Sequence, residues 1–372
     1  MNAIVEATKA WLHDAATAWD RFWFTPSAPH ALAAIRVLGG AMLFYTHLVW
    51  SLKLEAFLGP QAFVDNATAR ALQKDWYSWS YLWYIESPAL IWTLHIGALV
   101  VFALLTLGLF TRVVSVLACL ITLAYCHRLH GALFGLDQIN AMLATYLMLA
   151  PCGEVYSLDR WLRVRRAGAS LPPRSYVSTN VAVRLIQLHM CVIYLFGGIS
   201  KLRGQMWWDG SAVWGAIANL EYQSIDLTWL AEYPWLIAAL THVTIFWETF
   251  YCFTVWPKWS RPLTLALAVG VHAGIAIGLG MVTFGTVMII ANLAFVSPGL
   301  IDAAVHLLTG RRVSEKSRGG EGRTVGVLPV KPAGTAQAVT AKRAPDDAKS
   351  AARGSVNAKT ALSVPPSAAY TK

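Results

Sequence analysis

The chain has few charged residues, no CxxC motif and no internal repeat. Charged side chains make up 13% of its 372 residues, about half the share found in a soluble protein of this length. Hydrophobic residues make up 56%, and the mean hydropathy is +0.48. The cysteines number five and lie in or beside apolar runs, so we expect neither a disulfide framework nor a zinc site. This composition argues against a soluble domain and a disulfide scaffold.

The positive charge is concentrated in two segments, which argues against nucleic acid as a partner. The formal net charge is +10, but twelve of the 30 lysines and arginines follow residue 310, and five more lie in 153–180. Basic segments beside membrane spans usually mark the cytoplasmic side and contact anionic lipid. We therefore expect membrane lipid as a partner and no nucleic-acid binding.

Apolar runs of about 20 residues, the length that crosses a bilayer, predict an all-α polytopic membrane bundle. We predict eight spans, the last two of which come from one run that would be about 50 Å long as a single helix. We divide that run at Gly278 and Gly280. The predicted spans are 31–51, 89–110, 113–129, 131–152, 181–202, 235–256, 263–279 and 282–297.

The chain divides into three regions. Residues 1–28 predict an interfacial amphipathic helix, because their apolar side chains share one helical face. Residues 29–302 form the predicted transmembrane domain, in which the Trp- and Tyr-rich segments 52–88 and 203–234 predict short helices at the outer interface. Residues 303–372 are predicted to be a disordered basic tail. The lysine and arginine bias predicts a multi-pass protein of the cell membrane with both termini cytoplasmic.

Ionisable side chains interrupt several of the spans. Such groups normally face a cavity, a partner or a reaction site, because they are costly inside a bilayer. The topology places ionisable residues of independent spans at one outer level, so we predict an outward-opening polar chamber. The predicted chamber residues are His127, His130, Asp137, Lys201, His242 and His272.

Some charged residues also have a purely structural explanation. Arg36 and Arg184 lie near inner span ends and could form ion pairs or extend to the interface as anchors. Glu248 could be the partner of either arginine. Lys201 could likewise extend to the outer interface.

The histidines have alternatives too. His47 and His95 could be satisfied by backbone carbonyls. His127 and His130 have the spacing of metal ligands, but a single HxxH pair is a weak signal. We therefore predict no metal.

Three stretches carry a family likeness. They are HGALFGLDQINAMLATYLMLAPCGEVYSLDRWL (130–162), RLIQLHMCVIYLFGGISKLRGQMWWDG (184–210) and VHAGIAIGLGMVTFGTVMIIANLAFVSP (271–298). They resemble the horizontally transferred transmembrane domain, the membrane half of vitamin K-dependent γ-carboxylase and its bacterial relatives. The likeness covers about residues 15–300. Its most specific parts are Gly-x-x-Lys-Leu followed by Trp, and Tyr-Ser-Leu-Asp after the fourth span.

The resemblance implies an enzyme of the carboxylase and epoxidase type that uses a reduced naphthoquinone. It implies that Lys201 is the base that deprotonates the quinol and that His130 acts with it. Ser200 and Arg203 stand where the carboxylase has a lysine and an acidic residue. The chain also has no counterpart of the carboxylase's large substrate-binding region, so the resemblance extends to quinol chemistry better than to glutamate carboxylation.

Three classes of function are open at this point. The first is a membrane enzyme that uses a quinol or a lipid, and the second is a non-catalytic membrane partner that keeps the fold. The third, a transporter, is the weakest, because the sequence shows neither an inverted repeat nor a matched pair of broken spans.

Overall fold

A computed structural model describes residues 2–73 and 77–310 of the chain. Its regular structure is helical, and one isolated antiparallel bridge joins Ser27 to Tyr176. The predicted all-α architecture is therefore confirmed. The helices, in chain order, are α1 (Asn2–Phe24), α2 (His30–Trp50), α3 (Leu54–Leu58), α4 (Asn66–Leu72), α5 (Pro88–Leu107), α6 (Thr111–Arg128), α7 (Gly135–Met148), α8 (Leu158–Ala167), α9 (Val177–Leu202), α10 (Gln205–Trp208), α11 (Ala212–Ile217), α12 (Pro234–Thr254), α13 (Arg261–Gly278), α14 (Val282–Asn292) and α15 (Pro298–Thr309).

Each of the eight predicted spans corresponds to a helix, but among the described residues only five helical stretches are long and apolar enough to cross a membrane. α6 does not meet that criterion, and Val282–Phe295 is a shorter apolar helix. α7 has 14 residues, which is about 21 Å and less than the hydrocarbon thickness of about 30 Å. Eight crossings are therefore not confirmed. The five stretches are His30–Leu58, Pro88–Leu107, Val177–Leu202, Pro234–Thr254 and Arg261–Gly278.

The predicted span 131–152 is longer than the helix found there. A 3-10 turn covers His130–Ala132, and Phe134 is extended. The side chain of Asp137 accepts a hydrogen bond from the backbone N–H of Phe134, at 3.1 Å. This contact caps the start of α7, so the helix begins only at Gly135.

The predicted break near Gly278 and Gly280 is confirmed. α13 ends at Gly278, Gly280 has a φ of +67°, and α14 begins at Val282. The two helices then pack closely, because a Cβ on Gly285 would lie 2.4 Å from the carbonyl oxygen of His272. Gly285 thus brings α14 against the segment of α13 that carries His272.

The aromatic segments between spans contain short helices, as predicted. The first holds α3, α4 and a 3-10 helix at Tyr81–Tyr84, and the second holds α10, α11 and a 3-10 helix at Thr228–Glu232. Leu82 and Trp83 are buried, and the hydroxyl of Ser80 donates to the carbonyl oxygen of Ala124 on α6 at 2.7 Å, so part of the first segment packs on the helices. The interfacial location of these segments stays a prediction.

The C-terminal end of α1 is fixed to α9. The side-chain amide of Asn180 donates to the carbonyl oxygens of Phe22 and Trp23, at 2.7 and 2.9 Å. Arg184 donates to the same Phe22 carbonyl at 3.3 Å, and its guanidinium lies over the Phe22 ring. Among the described residues Arg184 thus contacts a carbonyl, Gln187 and aromatic rings in place of the predicted acidic partner, and its role as an interfacial anchor stays a prediction. The earlier part of α1 is exposed, and its position in the interface stays a prediction.

The predicted tail boundary at residue 303 is wrong. α15 continues to Thr309, because Pro298 provides a suitable first turn and Ile301 is buried. Asp302 accepts a hydrogen bond from the hydroxyl of Tyr156 at 2.9 Å, and this contact raises the pKa of the Tyr156 phenol beyond what burial alone does. The rest of the predicted tail, from residue 311, lies outside the described residues.

Arg36 lies wholly buried within the bundle. It donates to the carbonyl oxygens of Leu105 (2.6 Å), Thr106 (2.9 Å), Cys152 (3.2 Å) and Tyr156 (2.5 Å). The carbonyls at the end of α5 have no partner within their own helix, and Arg36 supplies one. The prediction of an ion pair or an anchor is wrong: Arg36 joins α2 to α5 and to the segment before α8.

Two groups of helices share the apolar core. α9, α12, α13 and α14 pack with α7 and part of α2 around one cluster of buried side chains. α5, α6, α7 and the middle of α2 surround a second cluster. Buried polar side chains lie beside each of these two apolar clusters, and they are the residues from which the candidate site is built.

Candidate functional site

Lys201 forms an ion pair inside the bundle. Its Nζ lies 2.6 Å from the Oε2 of Glu248 on α12, and the two side chains are 27% and 11% exposed. Nζ is also 3.9 Å from the position that a Cβ of Gly197 would occupy. The side chain therefore runs back along α9, in the direction in which helical side chains lean, and does not extend past the helix end. The predicted pairing of Glu248 with Arg36 or Arg184 is wrong.

The two glycines of FGGISKL have different roles in placing this ion pair. A Cβ on Gly198 would lie 2.7 Å from the backbone nitrogen of Thr249, so its absence lets α9 and α12 touch. A Cβ on Gly197 would lie 3.6 Å from the Oε2 of Glu248. Gly197 thus leaves room for the ion pair, while Gly198 brings its two helices together.

A chain of hydrogen bonds runs from α12 to α13 beside the ion pair. The hydroxyl of Tyr251 donates to the Oδ1 of Asn292 at 2.6 Å. The Nδ2 of Asn292 donates to the hydroxyl oxygen of Tyr194 at 2.9 Å. Tyr194 in turn lies 2.8 Å from the Nε2 of His272. All four side chains are buried.

The donors and acceptors of this chain can be assigned from chemistry. The oxygen of Tyr194 already accepts from Asn292, so its O–H donates to the Nε2 of His272. A neutral imidazole carries one proton, which places the proton of His272 on Nδ1. That buried Nδ1–H has no hydrogen-bond partner among the described residues. His272 therefore offers one free donor.

The ion pair and the hydrogen-bonded tyrosines lie along the same helix faces. Tyr194 precedes Lys201 by seven residues on α9, and Tyr251 follows Glu248 by three residues on α12. The ring of Trp247 packs against that of Tyr194, with the ring centroids 5.0 Å apart. We call this set the lysine cluster: Lys201, Glu248, Tyr194, His272, Asn292 and Tyr251.

A second polar group, the histidine cluster, lies in the other half of the bundle. Nδ1 of His47 bonds to the carbonyl oxygen of Leu43 at 2.8 Å. His95 bonds through Nε2 to the carbonyl oxygen of His47 at 3.0 Å and through Nδ1 to the hydroxyl of Tyr125 at 2.7 Å. Each histidine therefore bonds to a backbone carbonyl, as predicted, but Nε2 of His47 has no partner among the described residues. The cluster comprises His47, Ser51, His95, Tyr125, Asp137 and Asn140.

The predicted chamber residues lie in several different surroundings. Lys201 and His272 share the lysine cluster, and Asp137 lines a small cavity with His47. His130 is exposed and lines a separate cavity of about 160 Å³ with Phe57 and other apolar side chains. A shared site of His130 and Lys201 therefore stays a prediction.

The remaining two chamber residues contact backbone of the aromatic segments. His127 bonds through Nδ1 to the carbonyl oxygen of Trp79 at 2.7 Å. His242 lies 3.3 Å from the carbonyl oxygen of Trp208, near Asp209, whose pKa is lowered by hydrogen bonds from Ser211. In the described part of the chain, no group of three or more His, Cys, Asp or Glu residues is placed to hold a metal ion.

Sequence reasoning missed Tyr194, Asn292 and Tyr251. A signal was present, because Tyr194 precedes Lys201 by seven residues and therefore lies on the same face of α9. Tyr251 likewise follows Glu248 by three residues on α12. The neighbours of an intramembrane charge on its own helix face would have identified both tyrosines.

No family model matches the chain, and neither a curated protein nor a solved structure matches it. Membership of the carboxylase-related transmembrane family therefore stays a prediction from the three stretches of sequence. Five apolar helices that could span a membrane support a membrane-embedded protein. The lysine cluster is its best-defined candidate site.

Proposed function

We propose that this chain is a membrane enzyme that acts on a quinol or a lipid at the lysine cluster. The observation that supports the proposal is the Lys201–Glu248 ion pair, which lies inside an apolar bundle and yet keeps part of the lysine exposed. Charged groups in such surroundings are costly and usually functional. The family resemblance assigns the base to the same lysine.

The ion pair changes the role that Lys201 can have. An ammonium group cannot accept a proton, so the resting pair is not a base. Transfer of one proton from Lys201 to Glu248 gives a neutral amine and a neutral carboxylic acid. That form is favoured when water is excluded, because burial disfavours both charges. The amine can then accept a proton from a substrate hydroxyl, so we propose that the pair acts together.

The residues present are suited to a flat aromatic alcohol. The ring of Trp207 lies 5.4 Å from Nζ of Lys201, and Nδ1–H of His272 is a free donor. A reduced naphthoquinone would supply an acidic phenolic hydroxyl. Lys201 and His272 would bind its oxygens, Trp207 would contact the ring, and the surrounding helices would exclude water.

The decisive test compares Lys201→Arg and Glu248→Gln with wild-type protein in nanodiscs that contain a reduced naphthoquinone. Arginine keeps the positive charge but cannot deprotonate in a protein, so we expect the Lys201→Arg protein to fold and to lose quinol-dependent turnover. Glu248→Gln, which cannot take the lysine's proton, should lose it as well. Full turnover by the arginine variant would refute a proton-transferring role.

Two controls accompany this experiment. Lys53→Arg changes an exposed lysine and should leave turnover unchanged. Mass spectrometry of quinones and lipids that co-purify with wild-type protein gives an activity-independent readout. We expect a quinone or lipid whose amount falls in the Lys201→Arg preparation.

The second candidate is a non-catalytic membrane partner. It is favoured by one observation: apart from Nδ1 of His272, the polar side chains of the lysine cluster have partners within this protein, through four hydrogen bonds and an ion pair. In that case the cluster only joins α9, α12, α13 and α14. An apolar replacement of both charged residues would then preserve the biological role.

A further inference from the structure

A small cavity between α2, α6 and α7 carries polar atoms that no residue satisfies. His47 and Asn140 are 4% and 2% exposed. Nε2 of His47 and both Oδ1 and Nδ2 of Asn140 are buried and have no hydrogen-bond partner among the described residues. Both side chains line the cavity. Buried polar groups without partners are costly and rare, so three at one place require an explanation.

The hydrogen bond at Nδ1 of His47 determines whether the unpaired Nε2 is a donor or an acceptor. Nδ1 lies 2.8 Å from the carbonyl oxygen of Leu43, which can only accept. The proton of the neutral imidazole is therefore on Nδ1, and Nε2 is an acceptor that faces the cavity. Asn140 offers both a donor and an acceptor. The missing ligand must consequently be able to donate and to accept.

The volume of the cavity limits the size of that ligand. The space open to the centre of a water-sized sphere is about 10 Å³, which is the room that one water molecule needs. Thr46 and Thr122 also line the cavity. Their hydroxyls donate to the carbonyls of Met42 and Ala118, which leaves oxygen lone pairs to accept further bonds.

We infer that this cavity is a binding site for one water molecule, which links His47 of α2 to Asn140 of α7. The water donates to Nε2 of His47 and forms a second bond with the Asn140 amide. An apolar ligand would leave all three polar atoms unpaired, and a larger polar ligand would not fit. The link is independent of the proposed chemistry at Lys201.

The direct test is a structure of the wild-type protein in nanodiscs at a resolution that shows ordered water. We expect one density peak within hydrogen-bond distance of Nε2 of His47 and of the Asn140 amide. An empty cavity, or an Asn140 side chain that has turned to bond another group, would overturn the inference. This test needs no variant and does not depend on enzymatic activity.

A double-mutant cycle tests the link itself. His47→Phe and Asn140→Leu each remove one end of the same bridge, so we expect the fall in melting temperature of the double variant to be smaller than the sum of the single falls. Gln138→Leu, at an exposed position of α7, is the matched control and should be additive with His47→Phe. Additive effects of His47→Phe and Asn140→Leu would show that no water joins them.

Discussion

The lysine cluster and the histidine cluster place polar groups inside the same bundle in different ways. The lysine cluster contains two opposite charges, partial exposure and a hydrogen-bonded chain that lacks one partner. The histidine cluster is deeply buried, and its cavity leaves three polar atoms unpaired. A charged group that remains partly exposed is suited to chemistry on a ligand that enters from outside. Buried atoms around a cavity of this size suit a water molecule that stays.

The largest loss of stability should come from removing one member of the Lys201–Glu248 ion pair. Lys201→Met or Glu248→Leu leaves a charge unpaired in an apolar bundle, which should lower the free energy of unfolding by about 3–5 kcal/mol. The partial exposure of Lys201 places the Glu248→Leu variant nearer the low end of that range. Chemical unfolding in mixed micelles, followed by tryptophan fluorescence, would measure the change.

The double variant Lys201→Met with Glu248→Leu sharpens this prediction. Replacing a whole buried pair by apolar residues is often neutral, so we expect the double variant to recover most of the lost stability. It should nevertheless lack quinol-dependent turnover. A double variant as unstable as the sum of the two single variants would show that the pair is not the source of the loss.

The next effect should come from Asn292, which joins the two tyrosines of the lysine cluster. Asn292→Leu removes the acceptor of Tyr251 and a donor to Tyr194. A buried hydroxyl then lacks a partner, and we expect a loss of about 2–3 kcal/mol. If Asn292→Leu were as stable as wild type, the assigned hydrogen bonds from Tyr251 to Asn292 and from Asn292 to Tyr194 would be contradicted.

A comparison of the two glycines at the lysine cluster should give a smaller effect. Gly198→Ala places a Cβ 2.7 Å from the Thr249 nitrogen, so α9 and α12 must separate, at a cost of about 1–3 kcal/mol. Gly197→Ala makes only ordinary contacts, at 3.6 Å and beyond, and should leave stability nearly unchanged. Thermal unfolding in detergent distinguishes them. Equal effects would argue against a close helix contact at Gly198.

The sequence predicted the helices better than their partners. Apolar runs and the glycines at 278 and 280 located the helices of all eight predicted spans, because burial of apolar surface and backbone freedom are local properties. The partner of Glu248 could not be found in this way. It depends on which faces of α9 and α12 meet, and that follows from the close contact at Gly198.

The depth argument also had a limit. The predicted topology places His130 and Lys201 at the same level of the membrane, and this suggested that they line one chamber. The level gives only the position of a residue along the membrane normal. The direction around each helix axis decides whether two residues of equal depth face each other. Asp137 shows this: it faces the cavity beside His47 and caps α7, while His272 faces Tyr194.

The smallest effect, and the most direct comparison of the two clusters, comes from one substitution made in each. Tyr251→Phe leaves Oδ1 of Asn292 without its donor in a packed part of the core. Tyr125→Phe leaves Nδ1 of His95 without its donor, but Tyr125 lines the water-sized cavity. We expect losses of about 1–2 kcal/mol for Tyr251→Phe and about 1 kcal/mol or less for Tyr125→Phe, because water can supply the missing donor there. Paired unfolding measurements would show the order, and a larger loss at Tyr125 would mean that the histidine cluster is the drier of the two.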